Sequence, residues 1–205
     1  MRCSLGARTA GRDVRAGLGV LPLTLKLSDK DVLVIGAGRI GTGKAQLLVD
    51  AGARVTMIAR EVLVELPRGL AAFEQRDYHD GDVRGFALVV SATGEATVND
   101  RLVDEARREN VWLNVVDDPE RSDFFFTAVY RDGDVTVSVS TEGASPALAQ
   151  ELRTMIAERL PDNLADVAQQ LRRERADHHA KGSSTEGVDW RSRIRELLGA
   201  TEPSR

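Results

Sequence analysis

Three glycines at the end of an apolar run are the residues of this 205-residue chain whose spacing most clearly predicts chemistry. Gly36, Gly38 and Gly41 follow Val32–Ile35 in the pattern GxGxxG, and residues 42–51 have helical apolar spacing. In such a unit the first glycine permits a tight turn and the second lets the backbone approach a pyrophosphate. The third lets the helix pack on the strand, so that the helix N-terminus faces the phosphates. The pattern predicts a dinucleotide site; a glycine-rich turn without a ligand is the alternative.

Polar residues follow three further apolar runs, at Arg60, Thr93-Gly94 and Asp117. Because open parallel sheets bind ligands outside the carboxyl ends of their strands, we expect these residues and the glycine turn at one crevice. Arg60 stands near the position where an acid usually binds ribose hydroxyls. It therefore either favours a 2′-phosphate, and hence NADP, or is a solvated surface arginine. Glu61, the next residue, is a further candidate for binding the ribose. The Asp117 carboxylate is placed for proton transfer or for holding a cation, or it belongs to a turn or helix cap.

The apolar runs of the N-terminal half alternate with helical patterns. Buried strands separated by helices predict an α/β fold, a Rossmann-like, doubly wound parallel sheet with right-handed crossovers. The predicted strands are Val32–Ile35, Arg54–Ala59, Phe86–Ala92 and Trp112–Val116, and the predicted helices are Thr42–Ala51 and Val98–Glu109.

The pattern changes after Pro119. Phe124–Tyr130 and Val135–Ser140 predict two strands around a turn, and a hairpin does not belong in a parallel sheet, so a second small unit begins there. Ser145-Pro146 predicts a helix start, with serine as the N-cap and proline as the first helical residue. Helical apolar spacing continues over residues 146–160, 164–177 and 190–197.

Composition excludes several classes of protein. A formal net charge of -4 counts against a general nucleic-acid binder, and a single cysteine excludes an internal disulfide framework. No run approaches 18 apolar residues, so we expect no membrane-spanning helix. Residues 1–20 are rich in Arg and Gly and lack the apolar core of a secretory signal, which predicts a disordered extension. We therefore expect a cytoplasmic protein.

Five separated segments together resemble one family, the precorrin-2 dehydrogenases, which include the N-terminal module of siroheme synthase. The resemblance runs from about Leu21 to the terminal helix and is far more specific than any single motif. The segments are GAGRIGTGKAQLL, AGARVT at Ala51–Thr56, SATGEATVN at Ser91–Asn99, NVVDDP at Asn114–Pro119 and EGASPALA at Glu142–Ala149.

The resemblance implies an NAD-binding Rossmann domain over residues 21–119, a strand-containing dimerisation segment over 120–147 and a helical domain over 148–205. It implies a homodimer that uses NAD to oxidise precorrin-2 to sirohydrochlorin, in sirohaem or cobalamin biosynthesis. Some members of the family then insert iron, so Fe²⁺ or Co²⁺ is a candidate further substrate. Without the resemblance, two alternatives stay open: a non-catalytic NAD(P)-sensing module and an unrelated NAD(P) reductase.

The resemblance also implies roles for single residues. Asp117 matches the family's key aspartate, which serves dehydrogenation and, where present, metal insertion. Two positions depart from the common pattern, since Thr127 replaces a usual proline and Glu142 a frequent glycine. The implied cofactor residues are Gly36, Gly38, Arg39, Ile40, Gly41, Arg60, Thr93 and Gly94, and the implied substrate residues are Asn114, Thr141 and Ser145.

Overall fold

A computed structural model describes residues 19–182, 184 and 186–199 of the chain. These residues form two compact units, of which the first ends at Val116 and the second begins at Asp117. The extension predicted over residues 1–20 lies almost wholly outside the described residues. No described helix combines the length and the hydropathy needed to cross a membrane.

A parallel five-stranded sheet forms the centre of the first unit. Its strands are β1 (Asp31–Ala37), β2 (Arg54–Val62), β3 (Ala72–Gln75), β4 (Leu88–Ser91) and β5 (Trp112–Val115). Their order is β3-β2-β1-β4-β5, so the sheet grows from β1 to one side and then, through β4, to the other. This order confirms the predicted doubly wound sheet and puts the topological switch point between β1 and β4.

Two helices connect neighbouring parallel strands. Helix α1 (Arg39–Asp50) leads from β1 to β2, and α2 (Ala96–Glu109) leads from β4 to β5. Right-handed crossovers, the rule for such connections, put the two helices on opposite faces of the sheet. The alternation of side chains along β1 fits this arrangement. Leu33 and Ile35 share a buried cluster with Leu102 of α2, and the alternate residues Val32 and Val34 are buried as well.

The sequence pattern does not predict β3. Three of its four residues are exposed, because it is the edge strand beside β2, and only Phe73 is partly buried. An edge strand with one apolar contact has no apolar run to reveal it. Its position matters for the site, since the chain leaves β3 at Gln75 next to Ala59, near the carboxyl end of β2.

The second unit contains an antiparallel hairpin and three helices. The hairpin is formed by β6 (Ala128–Asp132) and β7 (Val135–Val139), and the helices are α3 (Pro146–Ala157), α4 (Leu164–Ala180) and α5 (Trp190–Leu197). The expectation of a strand from Phe124 is wrong for its first four residues. The tight turn pairs Ala128 with Val139, where β7 ends, so nothing in this sheet lies opposite residues 124–127. Helix α4, predicted over residues 164–177, continues to Ala180.

Candidate functional site

An open cleft of about 180 Å³ lies at the carboxyl ends of β1, β2 and β4. Four residues expected at one crevice line it: Gly36, Gly38, Arg60 and Thr93. The cleft is also lined by side chains that the sequence motifs do not single out, among them Asp77, Tyr78 and Glu95. The cleft therefore occupies the place where doubly wound sheets bind their ligands.

Two glycines of the turn are required by the packing of the protein itself. Gly36 has φ +103°, and a Cβ there would lie 2.6 Å from the carbonyl oxygen of Ala92. A Cβ at Gly41 would lie 2.1 Å from the carbonyl oxygen of Gly36. Both distances are far below van der Waals contact. Gly41 therefore lets α1 pack closely on the end of β1, as predicted, and Gly36, predicted for its turn, also lets the chain after β4 approach β1.

Gly38 is different, because the described residues leave the space beside it open. Its φ is -81°, which any residue adopts, and the nearest atom to an added Cβ is Leu63 Cδ1 at 3.9 Å. Gly38 is also the N-cap of α1, where no side chain accepts a cap hydrogen bond and no acid stands in the first turn. Arg39 and Ile40, the exposed first residues of α1, belong to this turn. The open backbone and the positive helix end fit the pyrophosphate of a dinucleotide.

Arg60 is engaged by two carboxylates. Its Nη2 donates to Glu95 Oε1, and its Nε lies 3.5 Å from Asp77 Oδ1. Sequence reasoning missed both acids for identifiable reasons. Asp77 follows the unpredicted edge strand, and Glu95 is the N-cap of α2, a helix predicted to begin only at Val98. No side chain caps this helix, since the Glu95 carboxylate lies on Arg60 instead.

The chain beside Asp77 is anchored to α2 by a buried carboxylate. Glu105 is 1% exposed, and its Oε1 accepts hydrogen bonds from Gly81 N at 2.7 Å and Val83 N at 3.3 Å. Its Oε2 accepts from the Tyr78 hydroxyl. Burial and then this hydrogen bond raise the pKa of Tyr78 well above its ordinary value, so the phenol stays protonated. These bonds hold the residue next to Tyr78, Asp77, at the cleft.

Asp117 opens the second unit with an unusual backbone conformation. Its φ is +62°, in the left-handed region that few residues other than glycine, asparagine and aspartate adopt. The next residue, Asp118, caps the short 3₁₀ turn Pro119–Arg121: Oδ1 accepts from Arg121 N at 3.2 Å, and Oδ2 lies 3.1 Å from Arg121 Nε. A turn-capping role of the kind left open for Asp117 is thus filled by Asp118. Asn114, the implied substrate residue on β5, is buried.

The hydroxyls of Thr141 and Ser145 both stabilise the loop before α3. Ser145 Oγ accepts from Leu148 N at 3.2 Å, which confirms the predicted N-cap. Thr141 Oγ1 donates to Ser145 O at 3.0 Å and accepts from Ser145 N at 3.2 Å. Between them, Glu142 has φ +52°, which explains why a glycine is favoured at this position.

Metal binding has no obvious geometric support in this part of the chain. Among the residues that the structure describes, no three His, Cys, Asp or Glu side chains are grouped to hold a metal ion. The predicted metal role of Asp117 therefore stays a prediction.

Comparison with known proteins finds matches to both units of the chain. Residues 23–128 match a family described as putative NAD(P)-binding, and residues 132–159 match the sirohaem biosynthesis protein central family. The siroheme synthase of Methylococcus capsulatus is 42% identical over 152 residues, which are 72% of this chain and 32% of that protein. The siroheme synthase of Tolumonas auensis is 34% identical over 182 residues, 87% of this chain and 35% of that one. The chain thus spans about a third of the length of these curated relatives.

A solved structure described as SirC, precorrin-2 dehydrogenase, has the same fold. It superposes with a TM-score of 0.64 over 88% of each chain, at 22% sequence identity. The matched segments include the glycine turn, the residues around Arg60 and the loop before α3. These matches confirm the family resemblance that the sequence motifs indicate. The chain belongs to the putative NAD(P)-binding family, in the form that continues into the central segment of the sirohaem biosynthesis proteins.

Proposed function

We propose that this chain oxidises precorrin-2 to sirohydrochlorin with NAD in tetrapyrrole biosynthesis. The observation that carries the proposal is the cleft at the β1/β4 switch point, open beside Gly38, in a chain whose next segment matches the sirohaem biosynthesis family. The names of the relatives support the substrate, because they are siroheme synthases. The fold shared with a precorrin-2 dehydrogenase is consistent with it.

The reaction removes one hydride and one proton from precorrin-2 and yields sirohydrochlorin, NADH and H⁺. When bound, NAD supplies the hydride acceptor. The turn through Gly36 and Gly38, with the first N–H groups of α1, would hold the pyrophosphate. Thr93 and Gly94, after β4, would contact the nicotinamide, and the Asp117 carboxylate would accept the proton. Holding donor and acceptor carbons in contact is the main contribution of such a site.

The backbone at Asp117 supports its assignment as the proton acceptor. A left-handed conformation at a residue other than glycine costs free energy and is concentrated at functional sites. The carboxylate of its neighbour Asp118 caps the 3₁₀ turn, which explains an aspartate at that position. The capping bonds of this turn do not explain the aspartate at position 117. Insertion of Fe²⁺ or Co²⁺ into the product is a further step that we assign to the same carboxylate.

Two adjacent aspartates provide a matched test of this assignment. Asp117→Asn keeps a side chain that tolerates positive φ but removes the proton acceptor. Asp118→Asn keeps a good cap residue and serves as the control. We expect Asp117→Asn to lower kcat for precorrin-2 oxidation at least a hundredfold with unchanged NAD affinity, and Asp118→Asn to stay within about threefold of the wild type.

The assay follows anaerobic conversion of enzymatically generated precorrin-2 with NAD by sirohydrochlorin absorbance, and then adds Fe²⁺ or Co²⁺. Product formation by the wild type supports the dehydrogenase. Spectral conversion faster than with metal alone supports metal insertion as well. Folded protein that binds NAD without turnover would instead support a nucleotide-sensing module, and full activity of Asp117→Asn would contradict the role of Asp117.

We also propose that the chain forms a homodimer through α3. Four apolar side chains at helical spacing are exposed on one side of this helix: Leu148, Leu152, Met155 and Ile156. Such a stripe is normally buried against another element. In analytical ultracentrifugation, Leu152→Lys is expected to shift a dimeric wild type to monomer. Gln150→Lys, on the opposite side of α3, should leave the dimer intact; a dimeric Leu152→Lys variant would exclude this surface.

A further inference from the structure

The environment of Arg60 bears on which nicotinamide cofactor the cleft accepts. Arg60 lies in the last part of β2, 22 positions after Gly38, where an arginine in a dinucleotide-binding unit typically binds the 2′-phosphate of NADP. Taken alone, it favours NADP. In the structure its guanidinium donates to Glu95 and lies 3.5 Å from Asp77, so its charge is already balanced by two carboxylates.

The two acids are distant in the sequence, and the fold brings both of them to Arg60. Asp77 is two residues beyond β3, and Glu95 precedes the first residue of α2. Both acids and Arg60 line the cleft. A 2′-phosphate entering beside Arg60 would have to displace these carboxylates and would then stand next to them. Like charges at such distances repel, and the cation would lose two partners to gain one.

Glu95 and Asp77 each show that the arrangement is more than an incidental surface contact. Glutamate is not a favoured N-cap residue, and Glu95 makes no cap hydrogen bond; its carboxylate lies on a residue 35 positions earlier. Asp77 adjoins Tyr78, which the buried carboxylate of Glu105 holds in place. The helix α2 therefore gives up an N-cap hydrogen bond so that the Glu95 carboxylate can lie on Arg60. The chain at Asp77 is held in place beside the same guanidinium.

We infer that Asp77 and Glu95 are specificity-determining residues, which select NAD over NADP by occupying Arg60. This inference rests on the proposed use of a nicotinamide dinucleotide and goes beyond it by naming the residues that exclude the 2′-phosphate. Arg60 acts in it as a latent phosphate ligand.

The test is a mutant cycle with NAD and NADP as probes. Kd for each nucleotide is measured by isothermal titration calorimetry at low ionic strength, because salt screens exposed charges. The proteins are the wild type, Asp77→Asn/Glu95→Gln, Arg60→Ala and the triple variant. All three side chains are at least 41% exposed, so these changes should leave the fold intact, which thermal melting checks.

We expect the double variant to bind NADP about tenfold more tightly than the wild type, a change of about 1.4 kcal/mol, with a smaller change for NAD. The gain should vanish in the triple variant, because it requires a released Arg60. A gain that persists without Arg60 would be a general effect of removing negative charge and would overturn the inference. So would unchanged NADP affinity with intact NAD binding, which leaves the proposed function standing. A wild type that binds neither nucleotide would overturn both.

Discussion

Replacement of single glycines in the GxGxxG turn should distinguish the glycine needed for cofactor binding from the glycine needed for packing of the protein. Among the residues that the structure describes, the nearest neighbour of a Cβ added at Gly38 would be Leu63 Cδ1 at 3.9 Å, and the backbone already has a φ that alanine adopts. Gly38→Ala should therefore fold normally but fill the space through which a pyrophosphate reaches the backbone. Gly41→Ala should do the reverse, because its Cβ would lie 2.1 Å from the carbonyl oxygen of Gly36.

The magnitudes follow from these contacts. At Gly38, an alanine N-cap costs about 0.5–1 kcal/mol, and the reduced entropy of the unfolded chain returns a similar amount. The net change in the free energy of unfolding should stay within about 1 kcal/mol. At Gly41 the obstructing atom belongs to the backbone, so the cost should reach about 3 kcal/mol, or about 10 °C in melting temperature. We expect Gly38→Ala to weaken NAD binding at least tenfold, about 1.4 kcal/mol.

Thermal melting and NAD titration on the same preparations check this prediction. Gly43→Ala is the matched control. Gly43 lies within α1, and beyond the neighbouring backbone of that helix no atom of the described chain lies within 4 Å of an added Cβ. Alanine there should stabilise the helix by up to about 1 kcal/mol and leave NAD binding unchanged. The reasoning would be refuted if Gly38→Ala bound NAD like the wild type, or if it melted as early as Gly41→Ala.

Three further outcomes are expected. Glu105→Gln should lower the free energy of unfolding by about 2 kcal/mol in denaturant titration, since an amide cannot accept all the buried donors, and Tyr78→Phe should cost about half as much. Burial disfavours ionised Asp82, but hydrogen bonds, first that from Arg76, outweigh it and hold the pKa below its ordinary value of 3.8. Its stabilising contribution should therefore be present above about pH 4 and be lost as the pH falls through the lowered value; Asp82→Asn should flatten that part of the stability curve. Ser145→Asn should preserve the cap of α3 and the melting temperature, so a raised KM for precorrin-2 would reveal a substrate contact, and an unchanged KM would limit Ser145 to the cap.

The sequence predicts the elements whose burial is continuous. The runs at β1, β4 and β5 consist largely of buried apolar residues, and α1 carries an apolar stripe against the sheet, so their patterns are unambiguous. The exposed edge strand β3 has no such pattern. The predicted strand from Phe124 is too long for another reason. Its aromatic residues indicate β structure, but the hairpin register, set by the turn after Asp132, begins only at Ala128. The spacing of apolar residues indicates which residues are buried, but it does not indicate which strands pair with each other.

The residues of the site also fall into those that local sequence predicts and those that only the fold brings together. Gly36, Gly38 and Thr93 are found at the cleft because a local motif and the strand-end rule are enough to place them. Asp77 and Glu95 could not be found in this way. Asp77 lies in a polar stretch among several other acids, and nothing in the short segment around Glu95 names its partner. Only the adjacency of β3 to β2, together with the start of α2, brings the two carboxylates to one side chain.

Arg60 shows why such pairings matter for function. A rule that derives the cofactor from the residue at the end of β2 treats that side chain as an isolated charge. The electrostatic free energy of a bound 2′-phosphate depends instead on every charge within a few ångströms, and two carboxylates stand there already. The same arginine is therefore compatible with NADP in one environment and with NAD in another. In this chain we infer that Asp77, two residues beyond β3, and Glu95, the N-cap of α2, balance the charge of Arg60 in β2. The choice of cofactor then depends on three elements together.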